Sequence, residues 1–213
     1  MAKRVVVFGA TSGIGRLAVD EALAAGYAVR AFARTADTLA PQEGLETCRG
    51  DALNPDDVTR ALEGVDAVIY ALGIKERLSM LWEEETLFSE STRILLPAMT
   101  AAGVKRLIAV TGFGAGRSRQ SMSFLEKTGH GLVLGKPYAD KDRQETLIVE
   151  SDLDWTIARP VILTKGAKSG RIRVLREPAG WRNGLVSRAD VAAYLVAAVE
   201  ATEDLRRDVV LAR

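Results

Sequence analysis

Apolar residues along the chain fall into short β-branched runs that alternate with stretches in which they recur every three or four positions. Val5-Val6-Val7-Phe8 ends at Gly9, and Leu17, Ala18, Ala22 and Leu23 then follow at helical spacing between Gly15 and Ala25. The pattern predicts strand, tight turn, helix. Gly26 stops that helix, and Tyr27 to Ala33 reads as a second strand, parallel to the first because a helix supplies the crossover. The rhythm continues with a strand over Leu45 to Cys48, a helix opened by Asn54-Pro55 and running to Leu62, and a strand over Ala67 to Tyr70. Beyond these, Ser91 to Ala102 is predicted helical, Arg106 to Val110 a fifth strand, Tyr138 to Glu150 a helix, and Trp155 to Ala158 a sixth strand before Arg159-Pro160.

Such alternation predicts an α/β fold, a doubly wound parallel sheet with helices on both faces, whose ligands bind at the carboxyl ends of the strands. Two stretches break the rhythm. The segment 112–137 is rich in Gly and Ser and carries Arg117, Arg119, Met122, Phe124 and Lys127, which predicts a lid loop with a short helical piece. The segment 164–187 alternates around Pro178-Ala179-Gly180 and predicts a small antiparallel extension on the substrate side, followed by a helix from near Ser187 through Ala198. At 213 residues with 47% hydrophobic content, residues 1–213 are expected to form one domain.

Charge narrows the function classes. Lys plus Arg number 29 against 28 Asp plus Glu, a formal net charge of +1, which gives no general attraction to nucleic acid or anionic membrane. The expected partner is a small molecule, with neither nucleic acid nor membrane bound, and the expected state is a monomer or homodimer. Cys48 and His130 are the only residues of their types, which excludes an internal disulfide and a multi-cysteine metal site. No metal is expected. Met1-Ala2-Lys3-Arg4 leads into an apolar run too short for a signal peptide or membrane span, so a cytoplasmic location is expected.

The turn Gly9-Ala10-Thr11-Ser12-Gly13-Ile14-Gly15-Arg16 lies between a strand and a helix, the context in which a glycine pattern carries chemistry. Gly9 permits the sharp turn, Gly13 lets backbone amides approach a diphosphate, and Gly15 allows the helix to pack closely on the strand. The anion then faces the positive end of the helix. This is the fingerprint of a Rossmann dinucleotide site. At the end of the second strand, where a carboxylate bonds the ribose hydroxyls in NAD-preferring sites, the chain carries Ala33-Arg34-Thr35. An arginine offers donors to a 2′-phosphate, so Arg34, helped by Arg16, points to NADP(H), with NAD(H) as the alternative.

Taken together, these residues resemble the short-chain dehydrogenase/reductase superfamily, specifically small atypical members of the biliverdin-IXβ reductase/flavin reductase and NmrA-like type. The resemblance rests on the glycine turn, Arg34, Gly50-Asp51, Ala71-Leu72-Gly73, Val110-Thr111-Gly112, the run Glu150 to Pro160, and Ser187-Arg188-Ala189-Asp190. It implies that Asp51 and Ala52 border the adenine and that Ala71, Leu72 and Gly73 border the adenosine ribose. It further places Thr111 and Gly112 on the nicotinamide side, Pro160, Val161, Ile162 and Leu163 at the nicotinamide amide, and Lys141 at the nicotinamide ribose or the substrate region. Many relatives place a tyrosine four residues before the lysine; here Pro137 stands there and Tyr138 precedes Lys141 by three.

The resemblance implies an NADPH-dependent reductase that passes hydride to a small conjugated acceptor such as a flavin, quinone or tetrapyrrole. For a carbonyl acceptor, Tyr138 is the candidate acid, with Lys141 lowering its pKa and Thr111 bonding substrate or nicotinamide. Each has a structural alternative. Lys141 with Glu145 four residues on makes an ordinary helix-surface ion pair, and Thr111 caps a strand. A non-catalytic NADP(H) sensor of the NmrA-like type and a sugar-nucleotide epimerase are the competing functions.

Overall fold

In the first strand, β1 (Arg4–Phe8), side chains alternate between two separate cores. Val5 and Val7 point into one, with Val29, Ala31, Ile69 and Ile108; Val6 and Phe8 point into the other, with Phe32, Val68, Tyr70 and Leu107. A sheet that buries both faces needs helices on both sides, and it writes its strands as unbroken apolar runs. The computed structural model describes residues 2–73, 86–121 and 138–213.

The first face is covered by α1 (Gly13–Ala24), whose buried Ala18, Val19 and Ala22 lie in the same core as Val191 and Leu195 of α5 (Arg188–Ala197). The second face is covered by α2 (Pro55–Leu62), α3 (Leu87–Ala101) and α4 (138–149), through Val58 and Leu62, Leu95 and Met99, and Ile148 respectively. Between them, β2 (Ala28–Ala33), β3 (Leu45–Arg49), β4 (Ala67–Tyr70), β5 (Arg106–Val110) and β6 (Asp154–Pro160) pair in parallel with β1 in the order β3-β2-β1-β4-β5-β6. Strand order reverses beside β1, between β2 and β4, and the switch opens a crevice above the carboxyl ends.

The extension over 164–187 departs from the expected antiparallel pair. Its strands β8 (Arg173–Leu175) and β9 (Leu185–Ser187) do not pair with each other. Strand β8 runs antiparallel to the final strand, β10 (Arg207–Ala212), while β9 runs parallel to β7 (Ile162–Thr164). Each segment is only three residues long, so local alternation sets no partner, and the partner is a distant strand with an open edge. Strand β10 also extends the main sheet parallel to β6.

Helix α3 begins at Leu87, four residues before the expected Ser91. Its leading amides find an acceptor from far along the chain: Asp140 Oδ2 takes the N–H of Phe88 at 2.8 Å and of Ser89 at 3.3 Å. Of the expected lid over 112–137, the described part forms a short 3₁₀ turn at Gly116–Ser121. Residues 122–137 lie outside the described residues, and with them Met122, Phe124, Lys127, His130 and Pro137.

Candidate active site

The β1-α1 turn is shaped by two backbone approaches. Gly9 has φ +82°, and a Cβ there would sit 2.5 Å from the carbonyl oxygen of Ala71 at the end of β4. A Cβ on Gly15 would fall inside contact distance of the Gly9 carbonyl, so glycine is what lets α1 abut the end of β1. Gly13 faces open space. Ser12 and Gly13 are exposed and Thr11 and Ile14 half-buried, so this end of α1 is open to a ligand.

What distinguishes α1 is how its leading amides are left. Helix α2 is capped by Asn54 Oδ1, which accepts from Asp56 and Asp57, and α5 by Ser187, which accepts from Asp190. Helix α3 has Asp140. At α1, Ser12 makes no side-chain cap bond and the first turn holds no acidic residue. Uncapped amides and an unopposed dipole attract an anion. Donor geometry and open space fit a diphosphate.

Around this turn lie the other expected contacts. Arg34 is exposed and makes no hydrogen bond or ion pair among the described residues, while beside it Thr35 Oγ1 donates to Thr11 Oγ1 at 3.4 Å. Arg16 is engaged with Asp20 one turn along α1, which leaves Arg34 as the freer cation. Asp51 is half-buried and accepts the Leu53 amide at 3.0 Å; Ala52 is buried under it. The Ala71 N–H pairs with the Phe8 carbonyl, and Ala71, Leu72 and Gly73 line the exit of β4.

A second cluster assembles at the ends of β5 and β6. Lys141 Nζ donates to the Thr111 carbonyl oxygen at 3.1 Å and lies 4.1 Å from the centre of the Phe88 ring. Burial lowers its pKa to about 8 against the opposing charges of Glu145 and Asp140. The Tyr138 hydroxyl reaches Gly112, where a Cβ would lie 2.6 Å from it. Burial, with Glu145 nearby, raises that phenol's pKa. Tyrosine and lysine three residues apart on α4 thus both reach the Thr111-Gly112 backbone. The helix-surface ion pair of Lys141 with Glu145 does not form, because Glu145 is committed elsewhere.

Glu145 is buried and accepts three hydrogen bonds: from Thr111 Oγ1 at 2.6 Å, Arg159 Nε at 3.0 Å and Arg159 Nη2 at 2.6 Å. Arg159, 2% exposed, also donates to Asp208 at 2.5 Å, and Arg117 closes the row on the far side of Asp208. Trp181 lies under both guanidinium groups, at 5.1 and 5.5 Å, and donates its indole N–H to the Leu175 carbonyl. Burial alone would raise the Asp208 carboxyl, but its bonds to Arg117 and Arg159 outweigh burial and hold it below the usual range. The sequence signalled this group only indirectly: an arginine inside a buried strand requires a buried carboxylate.

Beyond Arg159, Pro160 and Val161 are buried, Leu163 packs half-buried on the core, and Ile162 is 58% exposed beside Leu185, its register partner on β9. The Phe113 N–H donates to the Pro160 carbonyl, which ties this segment to the Thr111-Gly112 loop. Among the described residues there is no group of acidic, histidine or cysteine side chains able to hold a metal, and no helix long and apolar enough to cross a membrane.

Comparison with known proteins agrees with this geometry. A family model described as NAD(P)H-binding matches residues 9–202. Over its full length the chain resembles a solved structure described as ChuY, an anaerobilin reductase from Escherichia coli O157:H7, with 27% identity, TM-score 0.80, and 99% and 97% of the two chains covered. A short-chain dehydrogenase/reductase from Veillonella parvula, solved in complex with NADP, shares the fold at 18% identity and TM-score 0.82, with 100% and 95% covered. Among curated proteins, sterol demethylase protein B of Methylococcus capsulatus is 32% identical over 171 residues, 74% of this chain and 51% of that protein. The chain thus spans about half the length, or less, of the curated relatives it matches.

Proposed function

We propose that this chain, which belongs to the NAD(P)H-binding family, is an NADPH-dependent reductase acting on a small conjugated acceptor such as a flavin, quinone or tetrapyrrole. The observation that carries the proposal is the convergence of Lys141, Tyr138 and Thr111 at the end of β5, across the crevice from an uncapped helix N-terminus. The α1 amides would hold the diphosphate and Arg34 the 2′-phosphate, with Asp51, Ala52 and Ala71 to Gly73 at the adenosine. Thr111, Gly112, Lys141 and Pro160 to Leu163 would flank the nicotinamide. The cofactor supplies hydride; the protein supplies position and the exclusion of water.

Within that site the Lys141 ammonium would donate to a ribose-side oxygen of the bound cofactor, and Tyr138, its pKa raised by burial, keeps its proton at neutral pH. A phenol held protonated beside Gly112 can give that proton to the acceptor atom opposite the one that takes hydride. Where the acceptor is a flavin or tetrapyrrole, solvent can supply it. A tyrosine displaced from the lysine favours the sensor alternative, and Tyr138 reaching the same backbone as Lys141 weakens that ground. Incubation with NADPH and a panel of flavins, quinones, tetrapyrroles and carbonyl compounds, followed at the nicotinamide absorbance, tests the proposal. Oxidation with a conjugated acceptor is expected, and inertness across the whole panel would sink it.

A further inference from the structure

Helical spacing makes Glu145 the natural surface partner of Lys141, yet the two form no direct ion pair and are joined through a third residue. Thr111 is the link. Its hydroxyl donates to Glu145 Oε1 at 2.6 Å, and its carbonyl accepts Lys141 Nζ at 3.1 Å, so one residue ties carboxylate and ammonium together. Glu145 in turn cannot swing away. Arg159 grips both of its oxygens, Nε on Oε1 at 3.0 Å and Nη2 on Oε2 at 2.6 Å, and Arg159 is anchored by Asp208. On the remaining side the pair presses on the backbone of Gly116: a Cβ there would overlap the Glu145 carboxylate and lie 2.9 Å from Arg159 Nη2. The loop after β5 therefore keeps a glycine where this carboxylate sits.

We propose that Glu145 is a positioning residue that fixes Thr111, and through it holds the Lys141 ammonium in place at the reaction centre. This deepens the proposed function, since it rests on Lys141 serving the cofactor side. Among the described residues, the groups facing Lys141 are Asp140 and Glu145 from α4 itself, the Thr111 carbonyl just past β5, and the Phe88 ring from α3. Asp140 is turned towards the α3 amides and Arg143. Burial pulls the Lys141 pKa down, and the Glu145 charge opposes that pull more strongly than the Asp140 charge does. Removing the Glu145 charge should therefore let the ammonium lose its proton at still lower pH.

The test uses the full chain without added cofactor. Acetic anhydride labels neutral amines, and the peptide carrying Lys141 reports its half-reactivity pH by mass spectrometry. In the unaltered protein that midpoint is expected at about 8. Glu145→Gln is expected to move it down by about half a unit or more, and to raise the NADPH dissociation constant in parallel. An unmoved midpoint with a lowered melting temperature would mean that Glu145 supports the fold alone, and would overturn the inference.

Should Glu145→Gln not fold, Thr111→Val breaks the same link. It is expected to speed Lys141 labelling at pH 7, where the ammonium form still dominates, about twofold or more, and labelling at the normal rate there would overturn the inference equally. Failure of the unaltered chain to bind NADPH would strike the proposed function instead and leave the labelling result standing.

Discussion

Replacing Arg159 by methionine removes the only guanidinium among the described residues that bonds both Glu145 and Asp208. Methionine fills much of the aliphatic volume, so the loss is electrostatic rather than a cavity. Arg159 is 2% exposed, its two carboxylate partners are 4% and 6% exposed, and its bonds to them run from 2.5 to 3.0 Å. Breaking a buried pair by deleting one partner costs roughly 3–5 kcal/mol, because the survivors are charges without a counterion. Asp208 keeps Arg117, which is largely exposed on its other side, whereas among the described residues Glu145 keeps only the hydrogen bond from the Thr111 hydroxyl. The lower half of that range, about 3–4 kcal/mol, is therefore expected, a fall in melting temperature of roughly 6–16 °C for a chain of this size.

Urea unfolding at several pH values adds a sign to the magnitude. In the unaltered protein Asp208 titrates below its unfolded value, so its contribution is present at neutral pH and is lost as pH falls through the folded pKa. Arg159→Met removes one of the two arginines behind that contribution, so its deficit should narrow as pH falls through and below the carboxylate range. A deficit under about 1 kcal/mol at pH 7, the range of an exposed pair, would refute the reading of this cluster as a buried network. So would a deficit that does not shrink in acid.

Further outcomes follow from the turn and the reaction centre. Arg34→Ala should weaken NADPH binding by about tenfold and leave NADH binding unchanged; equal losses for both would remove Arg34 from the 2′-phosphate. Gly15→Ala drives a methyl group into the Gly9 carbonyl, and should cost about 1–3 kcal/mol of stability as well as dinucleotide affinity, both measurable on one purified protein. NADPH affinity should fall as pH rises through about 8, as Lys141 loses its charge, and Lys141→Met should flatten that dependence.

Much of the sheet could be read from the chain because strands buried on both faces leave unbroken apolar runs, as Val5 to Phe8 and Ala67 to Tyr70 do. The glycine turn was legible for a similar reason: Gly9 and Gly15 answer to backbone only a few residues away or on the neighbouring strand. What local pattern could not show was partnership. The three residues of β8 and of β9 carry no mark of the strands they join, and β10, at the far end of the chain, was not anticipated at all. Helix α3 starts early because its cap is Asp140, 52 positions from Phe88. Spacing offers Lys141 as one neighbour of Glu145, whereas the buried guanidinium of Arg159 claims its carboxylate. Buried charge overrules helical adjacency there.

A diphosphate held at the open leading turn of α1 is what the proposed function requires. Titration of the labelled protein with NADPH, followed by amide NMR, addresses it directly. Saturable binding is expected, with the largest shifts at the amides of Gly13, Ile14 and Gly15, and with NADH binding more weakly at the same amides. Absence of saturable binding by either dinucleotide, or shifts that leave those amides untouched, would contradict it.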